Sequence, residues 1–215
     1  MKQHLVWIAC LLATAAQAQE IEGRSSFYLA VGAHALQLPE LNARLDALDL
    51  PQAPGAMTVS GFGGMYANRI VMGGEGFTVA QFAIQGSRAV DLAGGAGYGF
   101  LGYEFVRTKR LSLYPLLGIG GGGLRISLQE QPDEDQFDAY AQGNAAGATF
   151  SSGWLLGQAA LGLNYYGTYG QLMGLRIGAY TSPSRAWESP FGELQNAPSD
   201  RLTGFYFSLL FGLHH

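Results

Sequence analysis

From about residue 25 onward the chain alternates apolar residues with small or polar ones. That period of two belongs to a β-strand with one face in an apolar medium. Eight such segments follow one another, at about 25–37, 57–67, 69–84, 91–106, 111–128, 149–166, 170–182 and 200–213. In the last, Phe205, Phe207, Leu209, Phe211 and Leu213 share one parity, and Gly204, Ser208 and Gly212 share the other. In the seventh, Met173, Leu175, Ile177 and Ala179 oppose Gly174, Arg176, Gly178 and Tyr180. In the sixth, Leu155, Ala159, Leu161, Leu163 and Tyr165 oppose Gln158, Gly162 and Asn164. The fifth sets Leu111, Leu113, Leu117 and Ile119 on one parity and Leu124, Ile126 and Leu128 on the other. A β-bulge in the Gly120–Gly123 run is the expected cause of that switch.

The connections sort the segments into a topology. Pro39 to Ala56, Gln129 to Ala148 and Pro183 to Ser199 are long links, and Gly86-Ser87-Arg88 is a medium one. Ala67-Asn68-Arg69, Arg107-Thr108-Lys109-Arg110 and Gly167-Thr168-Tyr169 are tight. Tight turns therefore alternate with loops along the chain. This predicts an all-β fold, an eight-stranded antiparallel up-and-down transmembrane β-barrel with turns at one rim and loops at the other.

Composition narrows the alternatives. Hydrophobic residues make up 48% of the chain and charged residues only 13%, so disorder is excluded. The 32 glycines argue against a helical fold, since each glycine in a helix costs about 1 kcal/mol against alanine. They keep no collagen period. The rival closed fold is a soluble ligand-binding β-barrel in the periplasm, with apolar inside and charges outside. These strands supply almost no charges for an outer face. Arg or Lys facing lipid at mid-depth costs about 2–4 kcal/mol, so Glu75, Glu104, Arg125 and Arg176 are expected in the lumen, beside Gln158 and Asn164. Unpaired buried charges are expensive, so Arg176 is expected to pair with Glu75 or Glu104. Eight strands leave no open pore. Glycine is expected mainly on the inward parity and at bends, where it makes room in a narrow cylinder. Tyr66, Tyr103, Tyr114, Tyr165, Tyr166 and Tyr169 gather near the three short turns and are expected to form an interfacial girdle.

Residues 1–18 read as a secretory signal peptide. Lys2 opens it, Leu5 to Ala15 forms a short apolar core, and Ala16-Gln17-Ala18 gives the small-x-small cleavage pattern. Cleavage there removes Lys2 and Cys10 and leaves a more acidic chain, 19–215, that forms a single barrel domain without cysteine. A mildly acidic balance without a dense basic patch excludes nucleic acid as a partner.

On Gly73-Gly74-Glu75-Gly76-Phe77, Gly97-Tyr98-Gly99-Phe100-Leu101-Gly102-Tyr103 and Tyr114-Pro115-Leu116-Leu117-Gly118-Ile119-Gly120-Gly121-Gly122-Gly123, the chain resembles the bacterial outer-membrane β-barrel domain family of the small eight-stranded OmpA/OmpX type. The resemblance spans about 25 to 213. It implies an integral protein of the outer membrane of a Gram-negative-type bacterium, reached through the periplasm. Its implied partners are outer-membrane lipid, the assembly machinery and an extracellular partner met through the loops; a monomer is implied. Such barrels usually end on an aromatic residue, whereas here Phe211 is followed by Gly212-Leu213-His214-His215.

Candidate chemistry is sparse. No HExxH motif, paired cysteines or histidine cluster offers a metal site, and no GxSxG or phosphate-cradling loop occurs, so no metal or cofactor is expected. Some barrels of this class modify lipid A with a histidine and a serine at the outer rim. His34 is the candidate base for that alternative, with Ser87 or Asp91 as partners. Asp133-Glu134-Asp135 with Asp138 reads as a solvated acidic loop. Leu41, Leu45 and Leu48 have helical spacing, and Trp187 and Phe191 stand in the last long loop as anchors for a partner or the outer leaflet. The function expected is structural or surface interaction through the long loops, without catalysis.

Overall fold

The computed structural model describes residues 23–53, 55–130, 147–183 and 187–215. The predicted signal peptide and the acidic run Asp133-Glu134-Asp135 with Asp138 lie outside the described residues. Eight long strands form the wall: β1 (Arg24–Gln37), β2 (Ala56–Asn68), β3 (Ile70–Gln85), β4 (Arg88–Tyr103), β5 (Leu111–Glu130), β6 (Gly147–Tyr166), β7 (Gln171–Thr181) and β8 (Thr203–His214). Each pairs antiparallel with its neighbours in the chain, and β8 returns to β1, with Ser26 opposite His214 and Gln37 opposite Thr203. That seam closes the barrel and leaves no wall strand with an unpaired edge.

One rim carries short turns. Arg69, at a positive φ of 60°, alone separates β2 from β3. Between β4 and β5, Val106–Arg107 folds back onto Leu113 and Ser112. The other rim carries the loops, with one difference from the sequence reading. The β3–β4 link is a two-residue turn, because both strands run on until Gln85 pairs with Arg88. Gly86 sits there at φ 61°, which glycine adopts without strain.

The wall changes character along its length. At the turn rim the apolar residues face out. Phe27, Phe62, Met72, Leu101, Leu117 and Phe211 are exposed, and their neighbours of opposite parity point inward. At the loop rim four of the eight strands, β2, β4, β5 and β6, reverse, while β3 and β8 keep Phe82, Ile84 and Phe205 exposed outside. Met57, Val59, Val90, Leu92, Leu124 and Ile126 are buried in the lumen, while Thr58, Ser60 and Arg125 are exposed outside. The expected bulge in Gly120–Gly123 is absent. β5 keeps an unbroken register with both β4 and β6 through that run. The hydrophobic parity switches while the register holds: Leu117 and Ile119 are exposed outside, whereas Leu124 and Ile126 are buried in the lumen. Arg125 follows from the same fact. It stands on the outward parity in the loop-side half, not in the lumen, and reaches water there.

Glycine occupies both parities. Inward, Gly63 is required: a Cβ there would lie 2.7 Å from the Tyr28 ring. Gly162 likewise admits Tyr114, at 2.5 Å from a Cβ. Outward glycines differ from the expectation. Gly64, Gly74 and Gly99 align across β2, β3 and β4, and Gly97 faces Gly121 across β4 and β5. A Cβ at Gly97 would meet only Glu75 O, at 3.9 Å.

A short helix, α1 (Pro39–Ala47), lies in the first loop. Pro39 suits its first turn, but the preceding Leu38 offers no capping oxygen. The cap comes from far along the chain: Asp200 accepts the Glu40 and Leu41 backbone N–H groups at 3.0 and 2.7 Å. Leu41 and Leu45 are buried, whereas Leu48 ends the helix and is exposed.

Candidate functional site

The lumen is filled in layers. In the central one, Arg176 on β7 is fully buried and forms an ion pair with Glu75 on β3. Tyr28 and Tyr98 donate to the two Glu75 oxygens at 2.9 and 2.8 Å. Arg176 Nη2 donates to the Tyr28 hydroxyl at 3.3 Å, and the guanidinium carbon lies 4.9 Å from the centre of the Phe100 ring. A buried carboxylate is tolerable only when paired and hydrogen-bonded, and both Glu75 oxygens are. The residues come from β1, β3, β4 and β7, so the layer ties opposite walls together.

Toward the turn rim, the Tyr114 hydroxyl donates to Asn164 Oδ1 at 3.3 Å, and Asn164 Nδ2 donates to the Tyr166 hydroxyl at 3.4 Å. Tyr114 and Tyr166 are buried in the lumen, which removes them from the expected girdle. Their even positions on β5 and β6 place them opposite the leucines that face lipid. Tyr66, Tyr103, Tyr165 and Tyr169 are exposed on the outside at that rim.

The turn-side mouth is closed by a second group. Glu104, buried, accepts from Ser112 and from the Arg69 backbone N–H at 3.3 Å. It pairs with Arg107 at 3.3 Å rather than with Arg176. Arg107 in turn donates to Asn68 at 3.0 Å. Arg24 donates to the carbonyls of Thr108 and Lys109 at 2.8 and 2.9 Å and lies 4.3 Å over the Tyr166 ring.

Above the central layer the lumen is apolar. Gln158 accepts from the Tyr206 hydroxyl at 3.0 Å. His34 stacks on Phe77, Tyr206 and Tyr180 at 4.8, 5.1 and 5.6 Å between ring centres. Among the described residues no hydroxyl or carboxylate hydrogen-bonds to His34. Ser87 lies in the β3–β4 turn and Asp91 stands on the outward parity of β4. The void beside His34, walled by Leu36, Phe77, Leu124, Trp154 and Leu156, is about 30 Å³. That is room for about two or three waters. Around His34 this half is therefore packed by side chains.

The outer end is roofed by α1 and the last loop. Leu41, Leu45, Ala53 and Trp187 are buried there. Asn42 and Ala53 exchange two hydrogen bonds, at 2.9 and 3.3 Å, that close the first loop on itself. Glu40 accepts from Ser199 N at 2.8 Å and Oγ at 2.9 Å, reciprocating the Asp200 cap. The Ser199 backbone N–H and then its hydroxyl hold the Glu40 carboxyl below its usual pKa. From this roof projects a small hairpin, Glu188–Ser189 paired with Gly192–Glu193, with Phe191 at its tip. Phe191 is 99% exposed.

Sequence reasoning missed Arg24, Tyr28, Tyr98 and Asp200. The tyrosines were legible as inward members of alternating runs. Asp200 was not, because a cap supplied from so far along the chain leaves no local pattern.

A closed eight-stranded barrel with an apolar outer belt and a plugged interior has the architecture of small outer-membrane β-barrels. No family model matches the chain, and no curated protein matches it in sequence. Solved structures resemble it in fold. A major outer membrane protein from Thermus thermophilus is 9% identical, with a TM-score of 0.60 over 91% of this chain and 100% of that one. Ail, the attachment invasion locus protein of Yersinia pestis, solved with the heparin analogue sucrose octasulfate, is 12% identical, with a TM-score of 0.52 over 91% and 100%.

Proposed function

We propose that this barrel is a non-conducting, non-catalytic anchor that presents a rigid roof for surface interaction at the cell exterior. The observation that carries this is the inverted outer half. The barrel continues beyond the lipid belt with its own apolar core, roofed by α1 and the last loop. A pore would not plug its lumen with the Glu75–Arg176 layer and then pack leucine above it. A hairpin that buries Trp187 at its base and holds Phe191 in water suits a contact with another surface, since aromatic anchors dominate interfaces. The aromatic stack around His34 argues against the lipid A alternative, because a base with no nucleophile bonded to it has nothing to activate.

The test uses cells displaying the protein and Phe191→Ser. Attachment to surfaces and cell–cell aggregation are expected to fall with Phe191→Ser, while heat-modifiability on a gel stays unchanged. Planar bilayers holding the purified barrel are expected to show no steady conductance. Steady conductance, or a mass shift of lipid A on expression, would overturn the reading.

A further inference from the structure

Charge is sorted along the barrel axis. At the turn rim the described residues carry five cations, Arg24, Arg69, Arg107, Lys109 and Arg110, against one acid, Glu104. At the loop rim they carry eight acids against four cations, and the single remaining pair is Glu75 with Arg176. The described charges cancel overall but are separated into a positive and a negative end.

The positive end is also built. Glu104 is consumed by Arg107, Ser112 and the Arg69 backbone, so it does not neutralise the rim's exposed cations. The same contacts lock the two turns together: Glu104 N donates to Arg69 O at 2.7 Å, and Arg107 bridges to Asn68. Arg24 holds the second turn from inside through Thr108 and Lys109. Arg69, Lys109 and Arg110 are left exposed on neighbouring turns, with no ion pair among the described residues. Directly below them on the outer wall, Ile70 faces Tyr103 across β3 and β4, each 50% exposed.

We propose that Arg69, Lys109 and Arg110 seat the headgroup of an anionic phospholipid in the periplasmic leaflet, with its acyl chain against Ile70 and Tyr103. Three unpaired cations match a phosphate-bearing headgroup. The apolar pair beneath them distinguishes a lipid from a free anion, which has nothing to lay on that wall. The tyrosines Tyr66 and Tyr103 mark the headgroup level at this rim. The seat rests on the short turns facing the periplasm, as they do in this class of barrel. It does not depend on the surface role of the opposite end.

The experiment reconstitutes the full barrel in phosphatidylethanolamine discs with a minority of phosphatidylglycerol. The selectivity of spin-labelled phosphatidylglycerol over spin-labelled phosphatidylcholine for the protein is then read. Near-surface cations are each worth roughly fivefold in anionic-lipid binding. Wild type is expected to prefer phosphatidylglycerol at least ~10-fold, less so in high salt. The R69Q/K109Q/R110Q variant is expected to lose that preference, R69K/R110K to keep it, and R88Q/R125Q at the other end to leave it intact. No preference in wild type, or an unchanged preference in the triple glutamine variant, overturns the seat. Full displacement by millimolar inorganic phosphate shows a free-anion site and overturns the lipid assignment. Orientation is read separately in intact cells with an impermeant maleimide on Phe191→Cys and Thr168→Cys. Labelling of the first alone is expected, and labelling of the second alone overturns the periplasmic placement.

Discussion

Below the Tyr28–Glu75–Arg176 layer the wall turns its leucines outward and its polar groups inward. Above that layer β2, β4, β5 and β6 do the reverse. The turn-side half is a membrane barrel, whereas the loop-side half is built like a soluble one, with Leu92, Leu124 and Ile126 at its centre and Thr58, Ser60 and Arg125 on its surface. A strand's alternation reports which side is drier at each level, and that side changes where the strand leaves lipid. Two folds that compete as readings of the whole chain are each present in half of it.

The sharpest way to break this contrast is at the boundary layer. Arg176→Met leaves the Glu75 carboxylate buried without its cation. It is expected to lower unfolding stability by about 3–5 kcal/mol, read from the urea midpoint of the refolded barrel in micelles. A double replacement that also makes Glu75 leucine is expected to recover most of the loss, and no recovery would mean the layer is not an isolated pair. Second in size is Leu156→Ala in the upper core. It is expected to cost about 2–4 kcal/mol by the same titration, as in a soluble interior. A loss under about 1 kcal/mol would mean the upper half is not close-packed.

Glycine separates inside from outside. Gly63→Ala drives a methyl into the Tyr28 ring and is expected to cost about 1–3 kcal/mol. Gly97→Ala meets open space on the outer wall and is expected to stay within about 0.5 kcal/mol. Smaller again is Asp200→Ala, which uncaps α1. It is expected to cost about 1 kcal/mol locally, seen as faster amide exchange at Leu41 with an unchanged global midpoint. The least effect is expected from acid. Glu40 titrates below its usual value, so its bonds to Ser199 are intact at neutral pH. They are lost only as pH falls through that lowered value. Trp187 fluorescence followed from pH 7 downward is expected to stay flat until the carboxylate range; a change near pH 6 would point to another group.

Strand number, parity and closure were written in the chain as alternation between turn signals, and they are properties of local sequence. Arg176 and Glu75 were placed inside by the same parity, since lipid penalises charge on the other face. What sequence hid was the depth at which lipid ends. Without it, Leu124 looked out of register and Arg125 looked interior, although both obey one uninterrupted ladder. Tyr114 and Tyr166 were misplaced for a related reason: nearness to a turn sets a residue's height, and only its parity sets its side. The roof was hidden because Asp200 and α1 meet only once the barrel has brought the two loops together.

The β1–β8 seam has a consequence for the protein's history. Every other pairing within the wall joins strands adjacent in the chain, but Ser25 and His215 bond to each other only after β8 has been delivered. Until then both end strands present unsatisfied edges, which neither lipid nor an aqueous compartment tolerates for long. Seven of the eight wall pairings are therefore local, and the eighth closes the whole loop, so closure waits on β8. Losing only the tail beyond Phe211 would leave a correctly patterned chain with its cylinder unsealed at the membrane's edge.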